Sequence, residues 1–276
     1  MGHHYLPRHL LRGFADPHGL LHRFDVRAGD TPQHLKIASV AQESGMYGDE
    51  LERKMQAVIE DPFNHVLDRV RQAGGSLKVE DKPILARYLL TAIRRVPDGR
   101  KRSREALPAV VQEKRAEMLV LLDELHKLDP PAPEIAKEHH DKVMGIFDRA
   151  LSDHPEWLWR ATVLPDNFPR IVGALEQMHW TVLASSPEDQ ILIGDCPVVR
   201  NEGVGLSEWH AEWMLPISSC QTICATWHPV QLGRNRLRPA QVRALNAKTL
   251  AQATRYVFAL KNEPWIARSS LRPRTR

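Results

Sequence analysis

Apolar residues recur every three or four positions through most of the first half of the chain, a pattern that predicts amphipathic helices. The predicted helices cover about 50–70, 81–96 and, near the end of the chain, 239 to about 260. Short apolar runs typical of strands cover about 180–184, 190–199 and 214–225. Helices grouped before and after a block of strands predict an α+β fold. We expect a mainly helical amino-terminal half packed with an antiparallel or mixed sheet, and a closing carboxyl-terminal helix.

The remaining segments predict one further strand, a helical hairpin and a carboxyl-terminal tail. The apolar pattern predicts an edge strand over residues 20–26. A composition rich in Glu, Lys and Leu predicts a helical hairpin over residues 99–153. That hairpin is interpreted either as a partner-binding arm or as a bundle that covers the sheet. We expect a single integrated domain over 1–267, followed by a basic tail over 268–276.

Three helices each direct one polar side chain toward an apolar face. At 100° per residue, Glu52 falls in the middle of the stripe that includes Leu51 and Met55. Arg95 lies within the apolar side of the next helix, and Asn246 lies within that of the last. An unpaired charge there would be costly, so each of these groups needs a partner or a function.

Two further residues join this candidate set. Asp195 is the single acid in an apolar strand-like run, directly before Cys196-Pro197, and His4 stands just ahead of a short apolar helix. We expect Glu52, Arg95 and Asn246 around a shared interior or cleft, with Asp195 and His4 at its edge. The alternative is purely structural: a Glu52–Arg95 ion pair, an amide that satisfies backbone groups, and an acid that caps a turn.

The charge balance gives no support to nucleic-acid binding by the body of the chain. The formal net charge is +4, with 38 basic and 34 acidic residues. Residues 268–276 hold four of the arginines, so the rest of the chain is electrically balanced. Local basic groups near 94–104 leave phosphate contacts open, although a solvated charge run is the simpler interpretation.

Cysteine usage and hydropathy indicate the expected compartment. Three cysteines are too few for a disulfide framework, and no apolar run reaches the length of a membrane-spanning helix. No secretory leader is evident at the start. We therefore expect a cytoplasmic protein with no membrane association.

Several short motifs together resemble a bacterial family known as domain of unknown function 4238. They are His3-His4-Tyr5-Leu6-Pro7-Arg8-His9-Leu10-Leu11-Arg12-Gly13-Phe14, Gly45-Met46-Tyr47 with Glu52 and Glu60, Arg95-Val96-Pro97, Gly194-Asp195-Cys196-Pro197-Val198 and Leu215-Pro216-Ile217-Ser218. The motifs span most of the chain. Gly194 stands where the family pattern leads us to expect a serine. The resemblance implies one integrated domain and no particular activity.

Two functional hypotheses follow from the inward polar residues. The first is a metal-assisted, nuclease-like hydrolase of phosphodiesters, in which Glu52, Asp195 and His4 hold Mg²⁺ or Mn²⁺. In that scheme His4 is a base or ligand, Arg95 stabilises phosphoryl charge, and Asn246 contacts the substrate. The second is a non-catalytic module that binds a ligand or a protein, with the same residues as a buried polar network and the 99–153 helices as the partner contact.

Overall fold

The computed structural model describes residues 2–28, 31–72, 76–153, 156–201, 203–229 and 235–270, and the side chains of 153, 157 and 268–270 are not described. The strands are β1 Gly2–His4, β2 Leu20–Asp25, β3 Gln33–Lys36, β4 Gln42–Ser44, β5 His179–Ala184, β6 Ile193–Gly194, β7 Val199–Arg200, β8 Glu212–Ser218, β9 Gln221–Thr226 and β10 Tyr256–Ala259. The helices are α1 Arg8–Leu11, α2 Asp49–Met55, α3 Asp61–Gln72, α4 Lys82–Arg94, α5 Pro97–Leu128, α6 Pro133–Asp153, α7 Glu156–Val163, α8 Pro169–Gln177, α9 Pro239–Gln252 and α10 Pro264–Ser270.

The predicted α+β class is confirmed. The described strands pair in three antiparallel sheets, with the orders β1-β4, β3-β2-β10-β6 and β5-β9-β8-β7. The strand expected at 20–26 forms as β2, but it is interior to its sheet, because β3 pairs with one side and β10 with the other. The run at 190–199 forms only the two-residue strand β6 and the start of β7.

The predicted closing helix ends earlier than its apolar periodicity indicates. It stops at Gln252, and residues 256–259 form β10 between β2 and β6. A short helix, α10, then follows. Its Ile266 is fully buried in a core cluster with Phe24 and Leu192. The basic tail expected from residue 268 therefore begins inside α10, and residues 271–276 lie outside the described part of the chain.

A partly buried arginine fixes the amino-terminal segment to the second half of the chain. Arg71 on α3 donates hydrogen bonds to the backbone carbonyls of His9, Leu10 and Ile217. Burial lowers the pKa of its guanidinium to about 10. Gly13 lies so close to this junction that an added Cβ would be 2.2 Å from the Ile217 carbonyl oxygen. Only glycine fits at that approach, which gives a physical reason for the Arg12-Gly13-Phe14 part of the opening motif.

The described residues divide into two compact units. The first unit contains the described residues up to Asp98 and from Val163 onward, and the second is Gly99–Thr162. The expectation of a single integrated domain stays a prediction beside this division. Within the second unit, α5 and α6 are joined by the short segment 129–132, and contacts between them include Arg115 with Asp148 at 3.4 Å.

Candidate functional site

Arg95 is the centre of a buried polar network in the first unit. It lies directly after α4, and only 1% of its surface is exposed. Its Nη1 donates to a carboxylate oxygen of Glu60, and its Nη2 donates to the backbone carbonyl of His4 at 2.5 Å. The Glu52 Oε2 atom lies 3.9 Å from Nη2. One cation is thus held between two carboxylates and a carbonyl.

A π-helical segment places both glutamates on the side facing Arg95. Residues Gln56–Glu60 form this segment, which continues α2 into α3 without a break. In an ideal α-helix, residues eight positions apart are separated by about 80° around the axis. The wider i→i+5 turn rotates less per residue, so Glu60 moves toward the direction of Glu52. π segments of this kind are frequent at functional sites.

The start of this helix is also fixed locally. Gly48 precedes α2 with a φ of 84°, a conformation that favours glycine because other residues would place a Cβ against the backbone. Asp49 therefore begins α2 at a defined position, with its Oδ1 atom 3.2 Å from Nε2 of His3 on β1.

The charges of this network shift the pKa values of its members. Burial alone would lower the pKa of Arg95, but interactions with Glu60, Tyr47 and Glu52 together more than offset burial, so the pKa is raised and the guanidinium stays charged. Burial raises the pKa of Glu52, which Arg95 only partly opposes. Glu52 Oε2 and Arg95 Nε have no hydrogen-bond partner among the described residues. The ion pair with Glu60 is therefore the stronger one.

His3 and Tyr47 extend the network toward the surface. His3 Nδ1 accepts a hydrogen bond from the Tyr47 backbone N–H at 3.1 Å, and its Nε2 lies 3.2 Å from Asp49 Oδ1. Because Nδ1 is an acceptor, the proton of a neutral His3 ring sits on Nε2 and points to Asp49. The Tyr47 hydroxyl donates to the backbone carbonyl of Arg95. Tyr47 thus links the histidine side of the network to the arginine side.

His4 contributes its backbone to Arg95, while its side chain points elsewhere. Its Nε2 lies 3.2 Å from Arg8 Nε and 3.3 Å from the Ala38 carbonyl. A ring nitrogen cannot accept from Arg8 and donate to Ala38 at the same time, so only one of these bonds forms in any protonation state. Burial, followed by the charge of Arg8, lowers the pKa of His4. Both effects disfavour the charged imidazolium.

Asp195 has a separate role from the one expected. Its carboxylate accepts backbone N–H groups of Thr254 at 2.6 Å, Arg255 at 2.7 Å and Tyr256 at 2.9 Å. Burial raises its pKa, and these three hydrogen bonds oppose that rise. The acid therefore holds the turn that ends α9 and starts β10, which is a structural function.

Asn246 is likewise satisfied by backbone groups. Its side-chain oxygen accepts the Leu192 N–H at 2.9 Å, and its amide donates to the Gln190 carbonyl at 2.8 Å. The polar atoms of Asp195 and Asn246 are thus used by neighbouring backbone, and their expected place around a shared cleft stays a prediction. The structure brings together Arg95, Glu52 and the His4 backbone, and adds Glu60, Tyr47 and His3.

Sequence reasoning left Glu60, His3 and Tyr47 out of the candidate site. Projection on an ideal α-helix places Glu60 off the stripe, and only the π segment corrects its direction. His3 is adjacent to His4 on β1, and pairing with β4 buries both side chains. All three residues nevertheless belong to the short motifs that carry the family resemblance, and this is the signal by which the sequence could identify them.

The proposed metal ligands do not form a common coordination site. Within the described ranges, no group of three or more His, Cys, Asp or Glu side chains is placed to hold a metal ion. Asp195 is occupied by backbone donors, His4 Nε2 faces Arg8, and Glu52 faces Arg95. With these contacts, the set His4, Glu52 and Asp195 does not fit Mg²⁺ or Mn²⁺.

Fold and site together define an α+β protein built around a buried arginine–carboxylate network. The chain belongs to the family described as protein of unknown function (DUF4238), whose model matches residues 2–263. Comparison with curated proteins finds no match, and comparison with solved structures finds none either. In the described part of the chain, no helix is long and apolar enough to cross a membrane.

The raised pKa of Glu52 predicts a specific pH dependence of stability. The folded protein binds this proton more tightly than the unfolded chain, so the stabilising contribution is present at low pH and is lost as pH rises through the folded pKa. We expect Glu52→Gln to gain stability relative to the wild type as the pH rises above the ordinary pKa range of glutamate. Urea unfolding at each pH measures the difference. The exposed residue Glu50 provides the control, as Glu50→Gln, and parallel curves for wild type and Glu52→Gln would contradict the prediction.

Proposed function

We propose that this chain is a protein-binding module in which the second unit supplies the contact surface. The Arg95 network then serves as the polar framework of the first unit. The observation that carries the proposal is the distribution of exposed large apolar side chains. Of eleven such residues in the described ranges, eight lie on α5 and α6: Val110, Met118, Val120, Leu121, Leu125, Leu128, Ile135 and Ile146.

Covering these exposed apolar side chains with a partner would contribute favourable free energy. Single exposed apolar residues are normal, whereas contiguous groups mark interaction surfaces. Burying a large aliphatic side chain completely contributes about 1.5–3 kcal/mol. Leu121 is 52% exposed and Leu125 is 61% exposed, so each would contribute about 1 kcal/mol on being covered. Covering several of these side chains together would therefore favour an association.

The charge of the second unit favours a protein partner over a polyanion. Residues 99–162 contain eleven basic and twelve acidic residues, so the unit is nearly neutral. Several of these charges already form ion pairs on one helix, such as Lys114 with Glu117 at 2.7 Å and Lys127 with Asp123 at 2.6 Å. A surface of this kind provides no excess positive charge for phosphate groups.

Replacing Leu121 and Leu125 together by glutamate is expected to abolish capture of the partner by the tagged full-length chain. In the complex, the two glutamate side chains would lose their hydration at the centre of an apolar contact, which is costly. In the free chain both positions are exposed to solvent, so the fold tolerates the substitutions. Quantitative mass spectrometry of captured proteins compares wild type and variant. The control is Val79→Glu, at a 79% exposed position outside the second unit. Equal capture by all three chains would overturn the proposal.

The second candidate function is the nuclease-like hydrolase, and the environment of Glu52 favours it. Its carboxyl group is half-buried, has a raised pKa and carries an oxygen that has no hydrogen-bond partner among the described residues. Perturbed carboxyl groups next to a second acid and a cation are typical of proton-transfer sites. In this candidate Glu52 transfers the proton, and Arg95 and Glu60 hold its position.

An activity assay tests that candidate directly. On this hypothesis, wild-type protein cleaves at least one of single-stranded or duplex DNA and RNA in the presence of Mg²⁺ or Mn²⁺, and Glu52→Gln loses at least about 100-fold in rate while remaining folded. A chelator arm shows whether a metal is required. If well-folded wild type cleaves none of the substrates and binds no metal by calorimetry, the hydrolase candidate is wrong.

A further inference from the structure

A pair of histidines joins the two long helices of the second unit close to their connection. His126 lies in the last turn of α5, and His139 lies in the second turn of α6. The His126 Nε2 atom is 3.2 Å from the His139 Nδ1 atom, and the ring centroids are 5.4 Å apart. Both residues are half-buried. The two nitrogens therefore face each other at a place that water and dissolved ions can reach.

These separations are close to those of two imidazoles that share a tetrahedral metal ion. Zinc binds histidine nitrogens at about 2.0–2.1 Å, so two such nitrogens on one tetrahedral ion are about 3.3 Å apart. If the ion lies in both ring planes, the ring centroids are about 5.2 Å apart. In the neutral pair, one N–H lies between the two nitrogens. A metal ion can take the place of that proton after small rotations of the rings.

The helix termini around the pair favour positive charge. The last four carbonyl groups of an α-helix carry partial negative charge, because they lack partners within the helix. His126 lies in that last turn of α5, which is 32 residues long. His139 lies beyond the first turn of α6, where the positive end of that helix has little effect. A cation between the rings is thus stabilised by α5 more than it is opposed by α6.

A second histidine pair has a geometry that a shared ion does not fit. His22 on β2 and His34 on β3 stack face to face, with ring centroids 4.5 Å apart and 12° between the ring planes. A nitrogen lone pair lies in the plane of its ring, so the lone pairs of two nearly parallel rings do not converge on one point. The His126–His139 pair differs because ring nitrogens, and not ring faces, meet.

We propose that His126 and His139 bind one transition-metal ion, for which Zn²⁺ is the probe, and that the ion links α5 to α6. Neutral imidazole is a ligand suited to zinc, copper and nickel. Within the described ranges, no third His, Cys, Asp or Glu side chain joins the pair, so water takes the remaining positions. The inference goes beyond the proposed function, because the ion binds whether or not a protein partner is present.

Isothermal titration calorimetry of Zn²⁺ into the untagged full-length chain tests the site. His126→Ala and His139→Ala, each alone, are expected to weaken the tightest zinc binding at least about 10-fold, because one of the two protein ligands is lost. Two matched controls are expected to leave that binding unchanged. They are His140→Ala, at the exposed neighbour of His139, and His22→Ala, in the stacked pair. Circular dichroism checks that each variant remains helical.

Nitrogen-15 NMR of the histidine rings identifies the ligand atoms in the wild type, where no variant has to fold. Zinc is expected to shift the resonances of His126 Nε2 and His139 Nδ1 and to leave those of His22 and His34 in place. Zinc binding that survives both alanine substitutions overturns the inference. So does the absence of bound zinc up to about 1 mM. In either case the pair is a hydrogen bond between α5 and α6 and no metal site.

Discussion

Replacing Arg95 by methionine is expected to lower the free energy of unfolding by about 3–5 kcal/mol, because the substitution leaves Glu60 partly buried without its cation. The arginine is 1% exposed, and it also donates to the backbone carbonyl of His4. Methionine keeps much of the apolar volume, so the loss reports mainly the removed charge and hydrogen bonds. Thermal and urea unfolding measure the change.

Two controls separate the ion pair from packing. Glu60→Gln in the Arg95→Met background is expected to recover part of the lost stability, because it removes the unpaired carboxylate. Arg53→Met, at an exposed position on α2, is expected to change stability by no more than about 0.5 kcal/mol. A loss below about 1 kcal/mol for Arg95→Met would show that the network contributes little to the fold.

Replacing Asp195 by alanine is expected to cost about 3–5 kcal/mol, since three backbone N–H groups lose their acceptor at once. Asp195→Asn is expected to cost less, because the amide oxygen still accepts, although its NH₂ group then faces a donor. The effect is independent of divalent cations. Unfolding measured with and without a chelator therefore distinguishes the structural role from a metal-ligand role.

The exposed residue Asp61 provides the matched control. Asp61→Asn is expected to change stability by no more than about 0.5 kcal/mol. If Asp195→Ala unfolds like the wild type, the three hydrogen bonds do not hold the turn between α9 and β10. A cation that stabilises the wild type but not Asp195→Ala would restore the metal-ligand interpretation.

The inward direction of the Arg95 side chain can be predicted from the sequence because it depends only on local helical geometry. Its neighbours in the apolar stripe lie at fixed angles around α4, so the projection is decided by residue spacing. Which of the two glutamates forms the closer ion pair with Arg95 cannot be predicted in the same way. An ideal helix gives Glu52 the better direction, and the π segment Gln56–Glu60 gives Glu60 the closer contact.

The same contrast explains the error at the end of the chain. Residues Val257 and Ala253 continue the apolar periodicity of α9, so the sequence predicts one long helix. The chain leaves the helix because Asp195, about sixty residues earlier, accepts the N–H groups that a helix would direct to its own carbonyls. Pairing of β10 with β2 and β6 then uses the remaining backbone groups.

By itself, the sequence determined the α+β class, the helices near 50–70 and 81–96, the family and the burial of Arg95 and Asn246, since these depend on periodicity and on short motifs. Only the tertiary structure decided which polar groups meet. Hydrogen-bond partners such as Asp195 with Tyr256, or Arg95 with Glu60, are separated by tens of residues, and their pairing depends on how the strands and helices pack.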